Sequence, residues 1–182
     1  MEIVLASASG RRKKLLGKIV KRFSVKPADV SERIGKRESF PAAAVRLAVK
    51  KAQTVAKKEK GAIVIGADTV AYLGKKNFRK TGEERAARGV LSFLSGKTHY
   101  VVTGVAVIFP SGKTVKYAVK ASVRIKNMTE GQLSSYVKSG EWKGRAGCYD
   151  VSGKGAKLVE CIKGEKETVV GLPLKRLAKL LG

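Results

Sequence analysis

The chain has 182 residues, 43% of them hydrophobic, which suits one folded core and excludes a disordered segment. Its 39 Lys+Arg outnumber 14 Asp+Glu to give a net charge of +25, spread along the whole chain, so a confined basic tail is excluded. So few acids also exclude a surface network of paired charges.

The elements follow in chain order. Glu2–Ala6 is predicted as a strand, Ser7-Ala-Ser-Gly10 as a small-residue turn, and Arg11 to about Val20 as a helix with Leu15, Leu16 and Ile19 on one face. Phe23–Lys26 predicts a short strand, and Pro27 to Arg37 is polar and irregular. Ser39 is an N-cap signal with Pro41 just inside a helix that runs to about Lys60; Val45, Ala48, Ala52, Val55 and Ala56 form its apolar stripe. The β-branched run Ala62–Ile65 predicts a buried strand that ends at Gly66-Ala67 and presents Asp68. Tyr72–Lys80 is predicted as a basic loop, and Thr81-Gly-Glu-Glu84 as a capping box opening a helix to Leu94. His99–Phe109 and Thr114–Ile125 predict an antiparallel hairpin around Pro110-Ser-Gly112. Thr129-Glu-Gly-Gln132 is a second capping box for a helix to about Lys138. Ser139–Gly155 is glycine-rich and irregular, Lys157–Lys163 is a strand, and Leu172–Leu181 is a closing helix with Pro173 in its first turn. Interleaved strands and helices make the class α/β, with some antiparallel pairing.

A carboxylate at the end of a buried strand fits an active site better than a plain core, because an unpaired buried charge is costly. Ligands of α/β sheets bind at the carboxyl ends of strands. Asp68 is one of only three aspartates, with Asp29 and Asp150. A lone acid held among many bases points to a metal ion and a phosphorylated substrate. Ser7-Ala-Ser-Gly-Arg11-Arg12 can cradle an anion through hydroxyls, backbone N–H groups and two guanidinium groups. It lacks the Gly-Lys-Thr/Ser ending of a P-loop. Glu32 reads either as a solvated acid or as a second ligand to a hard cation. Lys51 and Lys80 are not singled out by spacing, and His99 reads as structural. Cys148 and Cys161 are neither a disulfide framework nor a zinc pair, and one histidine rules out a His-based metal cluster. The charge admits three readings: nonspecific nucleic-acid binding through phosphate contacts, a general bias toward lysine on solvated faces, or steering of a highly charged anion. No apolar run approaches the length of a membrane helix, and the N-terminal charges follow the apolar part, the reverse of a secretory signal, so a cytoplasmic protein that avoids membranes is expected.

Taken together, the motifs resemble the Maf family of nucleoside triphosphate pyrophosphatases over essentially the whole chain. They occur in the family's order: LASASGRRKKLL at 5–16, Glu32 after Asp29-Val30, LAVKKA at 47–52, GADTV at 66–70 and Lys80 before a Glu-Glu-Arg-Ala helix. LSGKTHYVVTGVAV at 94–107, SYVKSGEWKGRAGCYDVSGKGA at 135–156 and VVGLPLKRLAKLL at 169–181 complete them. The resemblance implies a single domain over 1–182, a central twisted mixed sheet flanked by helices, and two lobes around a cleft, as in the inosine triphosphate pyrophosphatase-like fold. It implies Mg²⁺- or Mn²⁺-dependent hydrolysis of nucleoside triphosphates to monophosphate and pyrophosphate, and a homodimer. It places the catalytic base on Asp68, the metal ligands on Glu32 and Asp68, and substrate binding on Ser9, Arg11, Arg12, Lys51 and Lys80.

Ala67-Asp68-Thr69 resembles the branch acting on dTTP and UTP, with substrate-sorting positions on Arg11, Thr69 and Ser152. A pyrophosphatase for 7-methyl-GTP, or for inosine and xanthosine triphosphates, is the alternative within the enzymes. A basic nucleic-acid-binding protein with a vestigial site is the alternative outside them. The chain departs from the family at Gly10, where Pro is usual, at Arg79-Lys80-Thr81 for Gly-Lys-Pro, and at Tyr149-Asp-Val-Ser-Gly153. There Ser152 stands for a glutamine, whose two-point contact with a pyrimidine edge a serine cannot make.

Overall fold

The structure is a computed structural model that describes residues 1–182. Its strands are β1 (Ile3–Leu5), β2 (Ser24–Val25), β3 (Ile63–Leu73), β4 (Lys76–Phe78), β5 (Thr98–Ile108), β6 (Thr114–Ile125) and β7 (Val159–Lys163). Its helices are α1 (Gly10–Leu16), α2 (Phe40–Ala56), α3 (Glu84–Leu94), α4 (Glu130–Lys138), α5 (Lys166–Val170) and α6 (Leu174–Leu181). The strands form one mixed sheet in the order β2-β1-β3-β5-β6-β7, with β4 paired to β3. β1 pairs in parallel with both β2 and β3, whereas β3–β4 and β6–β7 are antiparallel. The α/β class with a mixed sheet and flanking helices is therefore as the sequence predicts. No helix is long and apolar enough to cross a membrane.

The chain forms two compact units, Met1–Thr69 with Val102–Val119 and Gly171–Gly182, and Val70–Val101 with Lys120–Val170. In the first, α2 carries its buried residues at Ala43, Ala44, Leu47, Ala48, Lys51, Ala52 and Val55. The stripe is turned from the predicted one: Val45 is half-buried, and Lys51 lies on the inner face. Small residues on this face bring the helix backbone close to the sheet. A Cβ added at Gly66 would lie 2.2 Å from the Ala48 carbonyl oxygen, and one at Gly104 would lie 2.3 Å from that of Ala44. Val4, Ala6, Ala48, Ala52, Val55, Ala62, Val64 and Ala106 fill the layer between them.

This close approach corrects one expectation. The strand does not end at Gly66-Ala67 but runs 11 residues, so Asp68 lies in its middle. Gly66 is there for helix contact, not to stop the strand. What ends near this point is β1, whose last pair is Leu5 with Ile65 and whose chain leaves after Ala6 N–H donates to the Ile65 carbonyl. Asp68 emerges just beyond, where β3 has lost its neighbour on that side.

The second unit is built on Phe78, Leu91, Leu94, Val101, Val123, Ile125, Leu133, Trp142 and their neighbours. The Thr129–Gln132 capping box is present at α4. The one at Thr81 is not: α3 begins at Glu84, and the Thr81 hydroxyl accepts the Glu83 N–H two residues on, a local turn that replaces the cap. Part of the predicted loop 72–80 is a hairpin, with Ala71 to Leu73 paired to Lys76–Phe78. The irregular stretch 139–155 is knit by two acids. Glu141 accepts the backbone N–H groups of Lys154 and Gly155 and the Tyr136 hydroxyl. Asp150 accepts the Arg145 guanidinium at 2.9 Å and the Ser152 N–H. Asp150 is thus a turn-forming carboxylate.

His99 is fully buried, and its Nε2 lies 2.9 Å from the Tyr149 hydroxyl. Burial pushes its pKa down to about 4, against a backbone hydrogen bond at Val123. The neutral ring is the folded form, so between about pH 6.5 and 4 the unfolded chain binds the extra proton. We expect stability to fall as pH drops through this window by about 3 kcal/mol more in the wild type than in His99→Gln. Urea unfolding at stepped pH reads this, and parallel curves for the two proteins would refute it. Gly104→Ala should cost at least about 2 kcal/mol, because its methyl meets backbone that cannot rotate away; a urea midpoint like that of the wild type would count against the close approach.

Candidate active site

Beyond β1 the chain passes through Ser7-Ala8-Ser9 and turns into α1. Ser9 is the N-cap, its hydroxyl accepting the Arg12 N–H, while its own N–H donates to the Ser7 hydroxyl. The turn places Arg12 inside the first unit at 6% exposure and leaves Arg11 half-buried. Arg12 donates from Nε to the Gly171 carbonyl at 2.8 Å, from Nη1 to the Ser7 hydroxyl at 3.1 Å and from Nη2 to the Thr69 hydroxyl at 3.0 Å. The Thr69 and Thr103 hydroxyls lie 2.9 Å apart. One guanidinium thus ties β1, β3 and the segment before α6. Burial lowers the Arg12 pKa, countered by the Asp68 carboxylate, with Arg11 lowering it further and Glu32 opposing; a guanidinium remains charged throughout.

Adjacent residues on a strand face opposite sides. Thr69 meets Arg12 of α1, so Asp68 turns toward α2, on the side of Gly66. Lys51, one turn beyond Ala48, reaches it. The Lys51 ammonium donates to Asp68 Oδ1 at 2.5 Å and to Glu32 Oε1 at 2.6 Å. Lys51 and Asp68 are 5% and 4% exposed, so this pair is out of water, whereas the Glu32 side chain is 40% exposed. Two acids from different segments therefore converge on one cation, a buried charge balanced by position.

Of the predicted site residues, Ser9, Arg11, Arg12, Glu32, Lys51, Asp68 and Thr69 all belong to the first unit. Lys80 and Ser152 belong to the second and are exposed, Lys80 just after β4 and Ser152 in the Asp150 turn. Sequence reasoning missed Thr103 and Gly171. Thr103 is a hydroxyl in the apolar run Val101–Val107, which was a usable signal. Gly171 has φ +123, and a Cβ there would press on the Thr69 hydroxyl at 3.2 Å and on Arg12 Nε at 3.4 Å. Lys51 also left a trace: it falls at core spacing from Ala44, Leu47 and Ala48.

Comparison with known proteins gives the family. The description "Maf-like protein" covers residues 2–182. A dTTP/UTP pyrophosphatase from Hyphomonas neptunium is 44% identical over 98% of this chain and 93% of its own length. One from Aquifex aeolicus is 40% identical over 100% of this chain and 94% of its own. The solved structure of a HAM1 protein from Coxiella burnetii, 17% identical, aligns with a TM-score of 0.53 over 100% of this chain and 98% of its own, which supports the fold alone. With its full-length match and relatives at this identity, the chain belongs to the family of Maf-like proteins.

Proposed function

We propose that the chain acts as one functional unit over 1–182 and hydrolyses nucleoside triphosphates, dTTP and UTP first, to the monophosphate and pyrophosphate. The observation that carries this is the buried Lys51 ammonium held between Asp68 and Glu32. The names of the relatives above support the substrate class.

The reaction adds water to the α-phosphorus and breaks its bond to the bridging oxygen toward the β-phosphate. The electron pair leaves on pyrophosphate, and the water proton passes to a base. Asp68 is the base, held rigid by β3 and oriented by Lys51, which suits a group that must aim one water. Charge developing on the leaving group meets Arg11 and Lys51, the second held in place by Asp68 and Glu32 before the reaction begins. Arg12 has a different part from Arg11. Three of its N–H groups are taken by Gly171, Ser7 and Thr69, so it chiefly fixes the turn that aims Arg11.

The two carboxylates converging on one cation suit Mg²⁺ or Mn²⁺. No cluster of three His, Cys, Asp or Glu side chains exists, and Mg²⁺ commonly takes one or two carboxylates with phosphate oxygens. Glu32 and Asp68 would hold it, and when bound it would offset triphosphate charge. Lys80 and Ser152 are proposed as phosphate-binding and base-sorting residues.

Asp68→Asn should lower pyrophosphate release at least about a hundredfold with nucleotide binding retained. A panel of dTTP, UTP, CTP, 7-methyl-GTP and ITP with Mg²⁺ or Mn²⁺ checks this, and wild-type turnover would remove Asp68 from the mechanism. Preference for 7-methyl-GTP or ITP in the same panel would overturn the pyrimidine assignment. Arg12→Lys keeps the charge but loses the fork, so it should cost about 2 kcal/mol in urea unfolding and slow turnover as well; an unchanged midpoint would show that the ties to Gly171, Ser7 and Thr69 are not structural.

A further inference from the structure

The second unit presents a sheet face that the proposed reaction does not use. Along β5 and β6 the inward residues His99, Val101, Ala121 and Val123 are buried, while the alternate residues point outward. On that outer face Tyr100, 38% exposed, lies against Tyr72 with ring centroids 5.7 Å apart. The Lys120 ammonium sits 5.0 Å from the Tyr100 centroid. Register carries the charge across the face: Ser122 is opposite Lys163, and Arg124 is opposite Cys161. A depression of about 510 Å³ lies among Tyr100, Ser122, Arg124 and Lys163. Its one acid, Glu160, is 3.4 Å from Arg124 with both side chains largely in water, a pairing of little strength.

We propose that this face binds single-stranded nucleic acid. An exposed tyrosine backed by a half-buried one on an open sheet, flanked by cations on neighbouring strands, supplies the two things such a strand needs. Bases stack on rings whatever their sequence, and phosphates meet Lys120, Arg124 and Lys163. A rigid duplex hides its bases and gains only the charge term. The occupant is not a second copy of this chain, because a two-fold contact sets each patch against itself and would oppose these cations to one another. The net charge of +25 draws any polyanion near; the tyrosines are what give this face preference for unpaired bases.

The test is fluorescence anisotropy of a labelled oligodeoxyadenylate of about 15 nucleotides, and of its duplex, with the full-length protein and EDTA present to keep hydrolysis idle. The single strand should bind tighter than the duplex. Tyr100→Ala should weaken it roughly tenfold, Tyr100→Phe should restore it, and both should hydrolyse triphosphate at the wild-type rate. Lys120→Gln with Lys163→Gln should lower the salt slope by about 1.4. Cys161 is exposed on this face and Cys148 is buried, so the strand should slow the reaction of Cys161 with a thiol reagent. Equal loss on Lys57→Gln with Lys58→Gln, at the far end of α2, with Tyr100→Ala unchanged, would mean diffuse charge alone and overturn the proposal. So would a dimer in light scattering that Tyr100→Ala splits, or a raised KM for triphosphate in Tyr100→Ala with oligonucleotide binding intact.

Discussion

The ammonium of Lys51 between Asp68 and Glu32 is the constraint on which the rest of the first unit depends. The buried Asp68 carboxylate has lost its hydration and faces a second, half-exposed carboxylate, and only a cation placed between them makes the arrangement tolerable. That cation must come from a helix lying very close to the sheet. The closeness comes from Gly66 and Gly104, where even one methyl group would strike the α2 backbone. Packing and electrostatics are thus one problem here: glycines in the strands and alanines in the helix set the distance that lets Lys51 reach Asp68.

Arg12 plays the matching part on the other face of β3. It ties the end of β1, the middle of β3 and the turn before α6 through side-chain and backbone acceptors. Asp68 and Thr69, neighbours in sequence, face opposite sides and are gripped by different helices. A strand held from both sides at adjacent residues has little freedom to shift, which suits the role proposed for Asp68.

The second unit uses its few acids differently. Glu141 and Asp150 each satisfy backbone N–H groups of a glycine-rich segment that forms no long helix or strand. In a chain with so few acids, the site takes Glu32 and Asp68 and this loop takes Glu141 and Asp150, while Glu59, Glu130 and Glu160 only pair with surface cations. The lysines and arginines have no such supply of partners, so most remain on the surface. Where they coincide with the exposed Tyr100, on the outer face of β5 and β6, they make a surface of distinct character.

The sequence by itself determined most elements and, through the family resemblance, the residues expected at the site. Strands around the Pro110-Ser-Gly112 turn marked β5 and β6, the Thr129 box marked α4, and the strand end and the Ser7–Arg12 turn pointed to Asp68 and the arginines, whereas Glu32 and Lys51 were named only by the resemblance. These signals are local, since capping, periodicity and motif spacing are written within a few residues. Tertiary structure alone decided the rest. It extended β3 past Gly66, because a glycine needed for helix contact looks in sequence like a strand end. It turned the α2 stripe to put Lys51 inside, because a lysine at a core position makes sense only once two carboxylates from distant segments face it. It added Thr103 and Gly171, whose roles arise from one guanidinium reaching across the fold to residue 171. Partners far apart in the chain leave no periodic mark, and their meeting is fixed only when the helices close on the sheet.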